Sequence, residues 1–109
     1  MNAIDVTFSA LADPIRRAIL VQLARGDATV GELAAPFEIS LPAISRHLKV
    51  LEQAALISNE RYGKHRRCRL KPEALAAAAS WLDFNHRFWS GSLERLDLHL
   101  KRHSKEKKP

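Results

Sequence analysis

The sequence has a single cysteine, Cys68, so it can form no internal disulfide and no cysteine-rich zinc module. No apolar run approaches the ~18 residues that a membrane span requires. The opening Met1-Asn2-Ala3-Ile4-Asp5 has no basic region ahead of an apolar stretch, so no secretory signal is expected. These absences predict a small soluble protein of the cytosol with no membrane partner. What is present suits one globular domain. The chain has 109 residues, 46% apolar and 28% charged, too apolar for wholesale disorder. A chain of this size buries roughly two-thirds of its unfolded surface in one core.

Eighteen Lys and Arg against twelve Asp and Glu give a net charge of +6. Residues 41–71 carry eight cations (Arg46, Lys49, Arg61, Lys64, Arg66, Arg67, Arg69, Lys71) against Glu52 and Glu60, a net of +6. Residues 1–40 sum to −2 and residues 72–109 to +2. The middle third thus holds a charge equal to the whole surplus. A localised basic segment on a folded domain is the footprint expected for a polyanionic partner. The plain alternative is a solvated face, so the neighbouring elements must decide.

Helices dominate the first half. Ile4, Phe8 and Leu11 fall at helical spacing. Asp13-Pro14 reads as an N-cap followed by proline at the first helical position, and Ile15, Ile19, Leu20 and Leu23 form one stripe that stops at Gly26. Thr29-Val30-Gly31-Glu32 is a capping box opening a helix that Pro36 keeps short. Ser40 is then the N-cap of a helix over 41–54. Ile44, Leu48, Leu51 and Ala55 cluster on one arc of it. Pro42, Arg46, Lys49 and Gln53 lie opposite, with Ala43, Ser45 and Val50 on the shoulders. Two short helices joined tightly, the second packing on one side and presenting cations on the other, fit a helix-turn-helix.

After Leu56-Ile57 the period changes. Residues 58–62 and 66–70 read as two strands around Gly63-Lys64, a hairpin with five Arg or Lys between Arg61 and Arg69. Arg66, Cys68 and Leu70 share one face, with Cys68 and Leu70 toward the core; Arg67 and Arg69 share the other. From Pro72 onward Leu75, Ala79, Leu82, His86, Trp89, Leu93, Leu96 and Leu100 recur in steps of four and three. So small a chain has little core left to cover such a seam, so a partner helix and a symmetric dimer are expected. Gly91 marks a candidate kink or break. Residues 101–109 form a basic tail expected to be disordered, which puts the domain at 1–100.

The run TVGELAAPFEISLPAISRHLKVLEQAALI (29–57) resembles the helix-turn-helix of bacterial ArsR-type winged-helix repressors. The preceding LADPIRRAILVQLARG and following RYGKHRRCRLKP fit the same pattern, and the resemblance covers all but the last several residues. It implies a mainly α fold with a small β-hairpin, a winged helix-turn-helix that forms homodimers through its terminal helices. It also implies a transcriptional repressor that binds double-stranded operator DNA in the bacterial cytoplasm, on the nucleoid when bound. On that pattern Ile4, Phe8, Leu82, His86, Trp89, Leu93 and Leu96 form the dimer interface.

The metal-sensing branch of that family carries Cys-x-Cys after a Glu-Leu dipeptide. Here Glu32-Leu33 is followed by Ala34, Ala35 and Pro36, leaving no thiolate for a soft metal. Asp97-Leu98-His99 copies half of a second metal pattern, which Asp83, His86 and His103 do not complete. The sequence therefore resembles the metal-independent branch, with no metal and no cofactor expected.

The implied DNA contacts divide into reading and holding. Pro42, Ala43 and Arg46 are the candidates for base edges, Arg46 for a guanine. Leu41 stands where relatives often have glutamine. Ser40, Ser45, His47 and Lys49 are candidates for phosphates, although Ser40 also suits a cap and His47 a core edge beside Ile44. Lys64, Arg66 and Arg67 are the wing contacts, while Arg61 and Arg69 can instead pair with Glu60 or lie along the sheet. His86, Trp81, Trp89 and Phe88 can line an effector pocket or simply fill the interface, and no inducing signal is legible. An enzyme is not expected, because His65 near Cys68 lacks a third orienting group. A protein-binding module and a sequence-indifferent coat for DNA remain as rival classes.

Overall fold

Caps set where the helices begin. In the computed structural model, which describes residues 2–106, α1 (Ala3–Leu11) opens where Asn2 Oδ1 accepts the Asp5 amide at 2.9 Å. Helix α2 (Pro14–Arg25) opens where Asp13 Oδ1 accepts the amides of Ile15 and Arg16 at 2.8 and 3.1 Å. It ends at Gly26, whose φ of 153° disfavours any side chain. A two-residue strand, β1 (Ala28–Thr29), leads into α3 (Val30–Ala34) through a complete capping box: the Glu32 amide donates to Thr29 Oγ1 at 3.2 Å, and the Thr29 amide donates to Glu32 Oε1 at 3.0 Å. Helix α4 (Leu41–Gln53) follows, then β2 (Ile57–Tyr62), β3 (His65–Leu70) and α5 (Pro72–Glu106).

The strands form one antiparallel sheet in the order β1-β3-β2, with Ala28 opposite Cys68 and Asn59 opposite Cys68 on the other side. The hairpin is as expected, each strand one residue longer at its start, and Gly63 (φ 59°) takes the first loop position, where a positive φ is required. The edge strand β1 is a finding: two residues carry no period, so no pattern could announce it.

The chain divides into two compact units between Ala78 and Ala79. In the first, Ile19, Leu33, Ile44, Leu48, Leu51, Leu56, Ile57 and Cys68 are fully buried, with Leu20, Leu23 and Ala10 beside them. Three of these, Ile44, Leu48 and Leu51, fix α4 by one stripe. Leu75, the first residue of the seam, packs on this same core.

Ala55 departs from the expected arc. It is exposed, and Ala54 is buried in its place. The helix has already ended at Gln53, and the Leu56 amide bonds back to Leu51 O at 3.0 Å, with Ala55 at φ 58°. This is a left-handed helix stop, which normally carries glycine because a Cβ crowds the following carbonyl. Ala55→Gly is therefore expected to stabilise the fold by roughly 0.5–1 kcal/mol, read as a raised thermal midpoint.

In the second unit α5 is continuous. Gly91 neither breaks nor ends it, and the helix extends through Lys101–Glu106, where a disordered tail was expected. The Asp83–Arg87 and Asp97–Lys101 pairs, at 3.2 and 3.0 Å, support it one turn apart. The expectation for Lys107–Pro109 lies outside the described residues. Leu82, Trp89, Leu93, Leu96 and Leu100 are all more than half exposed. No helix among the described residues is long and apolar enough to cross a membrane.

Candidate nucleic-acid interface

With α4 held by its buried stripe, the opposite side is presented outward. Pro42, Ser45, Arg46 and Lys49 are exposed and Ala43 is half-buried. Arg46 makes no hydrogen bond or ion pair among the described residues, so its guanidinium keeps all its donors for another molecule. Ser40 does act as a cap, its Oγ accepting the Ala43 amide at 3.3 Å. A capping hydroxyl keeps a lone pair, and it sits at the positive end of the helix dipole.

His47 is placed differently. Its side chain is only 20% exposed, with Nδ1 3.3 Å from the Arg16 guanidinium and 4.0 Å from Asp13 Oδ1. Arg16 in turn donates to Ala10 O at 2.7 Å and Ser9 O at 3.2 Å. The imidazole thus ties α4 to the junction of α1 and α2, which corresponds to the core-edge alternative. Burial pushes the Asp13 carboxyl up, but the amides of Arg16 and Ile15 and the His47 and Arg16 charges outweigh it and leave it below the usual aspartate value. Neither Arg16 nor this tie was foreseen: the Asp13-Pro14 signal marks a helix start and says nothing of a contact 31 residues away.

On the wing, Lys64, Arg66 and Arg67 are exposed. Arg67 lies over the Tyr62 ring, 5.9 Å from its centroid, while Tyr62 donates its hydroxyl to Glu60 Oε2 at 3.3 Å. Stacking leaves the edge of the guanidinium free and gives the cation a fixed position. Arg61 donates to Gly63 O at 3.3 Å across the turn. Arg69 pairs with neither Glu60 nor the sheet alone: its Nε and Nη2 both reach Asp27 Oδ2 at 3.1 Å. That hydrogen-bonded pair raises the Arg69 pKa further and fastens the hairpin to the end of α2. Asp27 was missed because its partner lies 42 residues away, beyond the reach of any local pattern.

The single cysteine is wholly buried between sheet and helices, and burial pushes its thiol up, the opposite of what a reactive cysteine needs. Among the described residues no group of three or more His, Cys, Asp or Glu is arranged to hold a metal ion.

Residues 13–59 match the model of the bacterial regulatory proteins of the arsR family. The HTH-type transcriptional regulator Rv2034 of Mycobacterium tuberculosis is 46% identical over 82% of this chain and 80% of its own. The transcriptional repressor SdpR of Bacillus subtilis is 43% identical over 69% of this chain and 83% of its own. Among solved structures, an ArsR family transcriptional regulator superposes with a TM-score of 0.76 at 40% identity, covering 81% of this chain and 91% of that one. A homodimeric winged helix-turn-helix DNA-binding domain from Mycobacterium bovis gives 0.61 at 25% identity, over 85% and 83% of the two chains.

Proposed function

Because this chain belongs to the arsR family of bacterial regulatory proteins, we propose that it is a dimeric repressor reading an inverted-repeat operator. The observation that carries this reading is the pairing of two cationic features on one folded unit. One is a helix pinned by Ile44, Leu48 and Leu51 with Pro42 and Arg46 outward; the other is a hairpin with Lys64, Arg66 and Arg67 exposed. The helix fits a major groove about 12 Å wide, and the hairpin takes the flanking backbone. Arg46 reads, with Pro42 and Ala43 against thymine methyls; Ser40, Ser45, Lys49, Lys64, Arg66 and Arg67 hold. His47 positions the helix.

The dimer forms through the seam residues Leu82, His86, Trp89, Leu93 and Leu96 of α5, together with Ile4 and Phe8 of α1, which are half-buried in the single chain. A dyad then places the two α4 helices in successive major grooves, with half-sites ~10–10.5 bp apart. The replacement of thiolates by Ala34, Ala35 and Pro36 after Glu32-Leu33 supports the metal-independent branch. The site of action is the bacterial cytoplasm, on the nucleoid when bound.

A gel shift with DNA from upstream of the protein's own gene, competed by bulk DNA at fixed salt, tests the reading. A specific shift supports it, and equal competition by bulk DNA overturns it in favour of a sequence-indifferent coat. If a dimer neutralises six to ten phosphates, affinity falls by roughly 10³–10⁵ between 50 and 200 mM salt. A titration across that range checks it.

A further inference from the structure

The last turn of α1 carries no basic residue of its own. Its terminal carbonyls are met instead by two arginines of the next helix. Arg16 donates from Nε to Ala10 O at 2.7 Å and from Nη2 to Ser9 O at 3.2 Å, while Arg17 donates from Nη1 to Leu11 O at 2.7 Å. Cations on the orphan carbonyls of a helix C-terminus also suit its dipole. Beyond this shared task the two residues differ. Arg17 is exposed and makes no hydrogen bond to α4 among the described residues. Arg16 is half-buried, and its Nη1 also reaches His47 Nδ1 on α4 at 3.3 Å. A guanidinium only donates, so Nδ1 is the acceptor and the proton of the ring lies on Nε2. One side chain therefore spans the end of α1, the first turn of α2 and the middle of α4.

This span restrains the rotation of α4. The stripe of Ile44, Leu48 and Leu51 chooses the buried face, but apolar contact is non-directional and leaves a helix room to roll. A hydrogen bond is directional. His47 follows Arg46 directly, about 100° further round the helix, so holding the imidazole fixes where the Arg46 guanidinium is aimed.

We propose that Arg16 is a positioning residue that couples α1 to the aim of the reading helix, so that operator recognition depends on where α1 sits. Helix α1 also carries Ile4 and Phe8, half-buried in the single chain. A partner chain packed on them acts on the far end of the same relay; this consequence rests on the repressor reading above.

The test compares Arg16→Ala, Arg17→Ala, His47→Ala and the combined Arg16→Ala/His47→Ala variant, each in the full chain. Without DNA, the backbone amide resonances of residues 41–46, ahead of the contact in sequence, report the placement of α4. Arg16→Ala is expected to shift them, and Arg17→Ala, which removes a cap from α1 alone, should leave them in place. With DNA at fixed salt, Arg16→Ala and His47→Ala should each lower operator affinity roughly tenfold, and the combined variant no further, since both break one contact. Affinity for bulk DNA and its salt dependence should hardly move, because no phosphate contact is lost. Arg16→Lys keeps the charge without the planar fork and should not restore binding. His47→Gln keeps an acceptor and should lose less than His47→Ala; these two variants carry the comparison should an alanine variant misfold. The proposal is overturned if the α4 resonances ignore Arg16→Ala, or if they move while operator affinity does not. It is equally overturned if the two losses add, if Arg17→Ala costs as much, or if the salt dependence falls as for a lost phosphate contact. Should the unaltered chain shift no operator, the repressor reading fails by itself, and the α4 resonances still decide the tie.

Discussion

Leu93→Asp is expected to turn the protein into single chains in solution and to lower operator affinity by roughly 10²–10⁴, the factor that linking two half-site readers supplies. The reason lies in where Leu93 sits. It is 59% exposed and belongs to the stripe of Leu82, His86, Trp89, Leu96 and Leu100. Burying each such leucine against a partner is worth roughly 1.5–3 kcal/mol. A two-fold interface contains every residue twice, so one aspartate removes two apolar contacts and buries two unpaired carboxylates. The first unit should be undisturbed, because Leu93 takes no part in the cluster of Ile19, Leu33, Ile44 and Leu51. Leu98→Asp is the control. Leu98 is equally exposed, at 58%, but falls about 160° around the helix from the seam at 100° per residue. Sedimentation and gel shift on both variants decide it: Leu93→Asp remaining dimeric, or Leu98→Asp dissociating as completely, would rule out the seam.

How far the sequence disclosed this arrangement depended on the range of each interaction. Caps act over three or four residues, and those at Asp13, Thr29 and Ser40 were all legible because donor and acceptor share one short window. The amphipathic arc of α4 was legible for the same reason, as was the alternation that buries Cys68. Its one error, Ala55, came from extending a helical period past the residue where the chain turns left-handed, a change that alanine does not advertise. Contacts between distant segments left no such trace. Arg69 and Asp27 are 42 positions apart, and Arg16 and His47 are 31 apart, so no local window holds both members of either pair. The seam was visible as a period. The helicity of residues 101–106 was not, because a polar, lysine-rich stretch is compatible with a solvated helix as well as with a disordered tail.

Those long-range ties also sharpen the expected division between reading and holding. Arg46→Ala removes a guanidinium that nothing in its own chain engages. If it forms a bidentate contact with guanine, discrimination at that base pair falls by roughly 1–3 kcal/mol in each half-site, and binding to unrelated DNA changes little. Arg67→Ala removes a cation that Tyr62 holds in place on the wing. A fixed cation facing the backbone contributes equally to every sequence, so this variant should bind all DNA more weakly by a common factor. It should also flatten the logarithmic salt dependence by about 2 per dimer, close to one for each chain. Measuring each variant against the selected operator, single-base substitutions of it and bulk DNA, at several salt concentrations, gives two independent slopes. If Arg67→Ala erases sequence preference while Arg46→Ala lowers only the salt slope, the roles are reversed and the hairpin is the reader. Equal effects on both slopes would mean that the two side chains contact one stretch of backbone. In that event neither Arg46 nor Arg67 touches a base, and specificity would have to come from Pro42 and Ala43 or from the shape of the duplex.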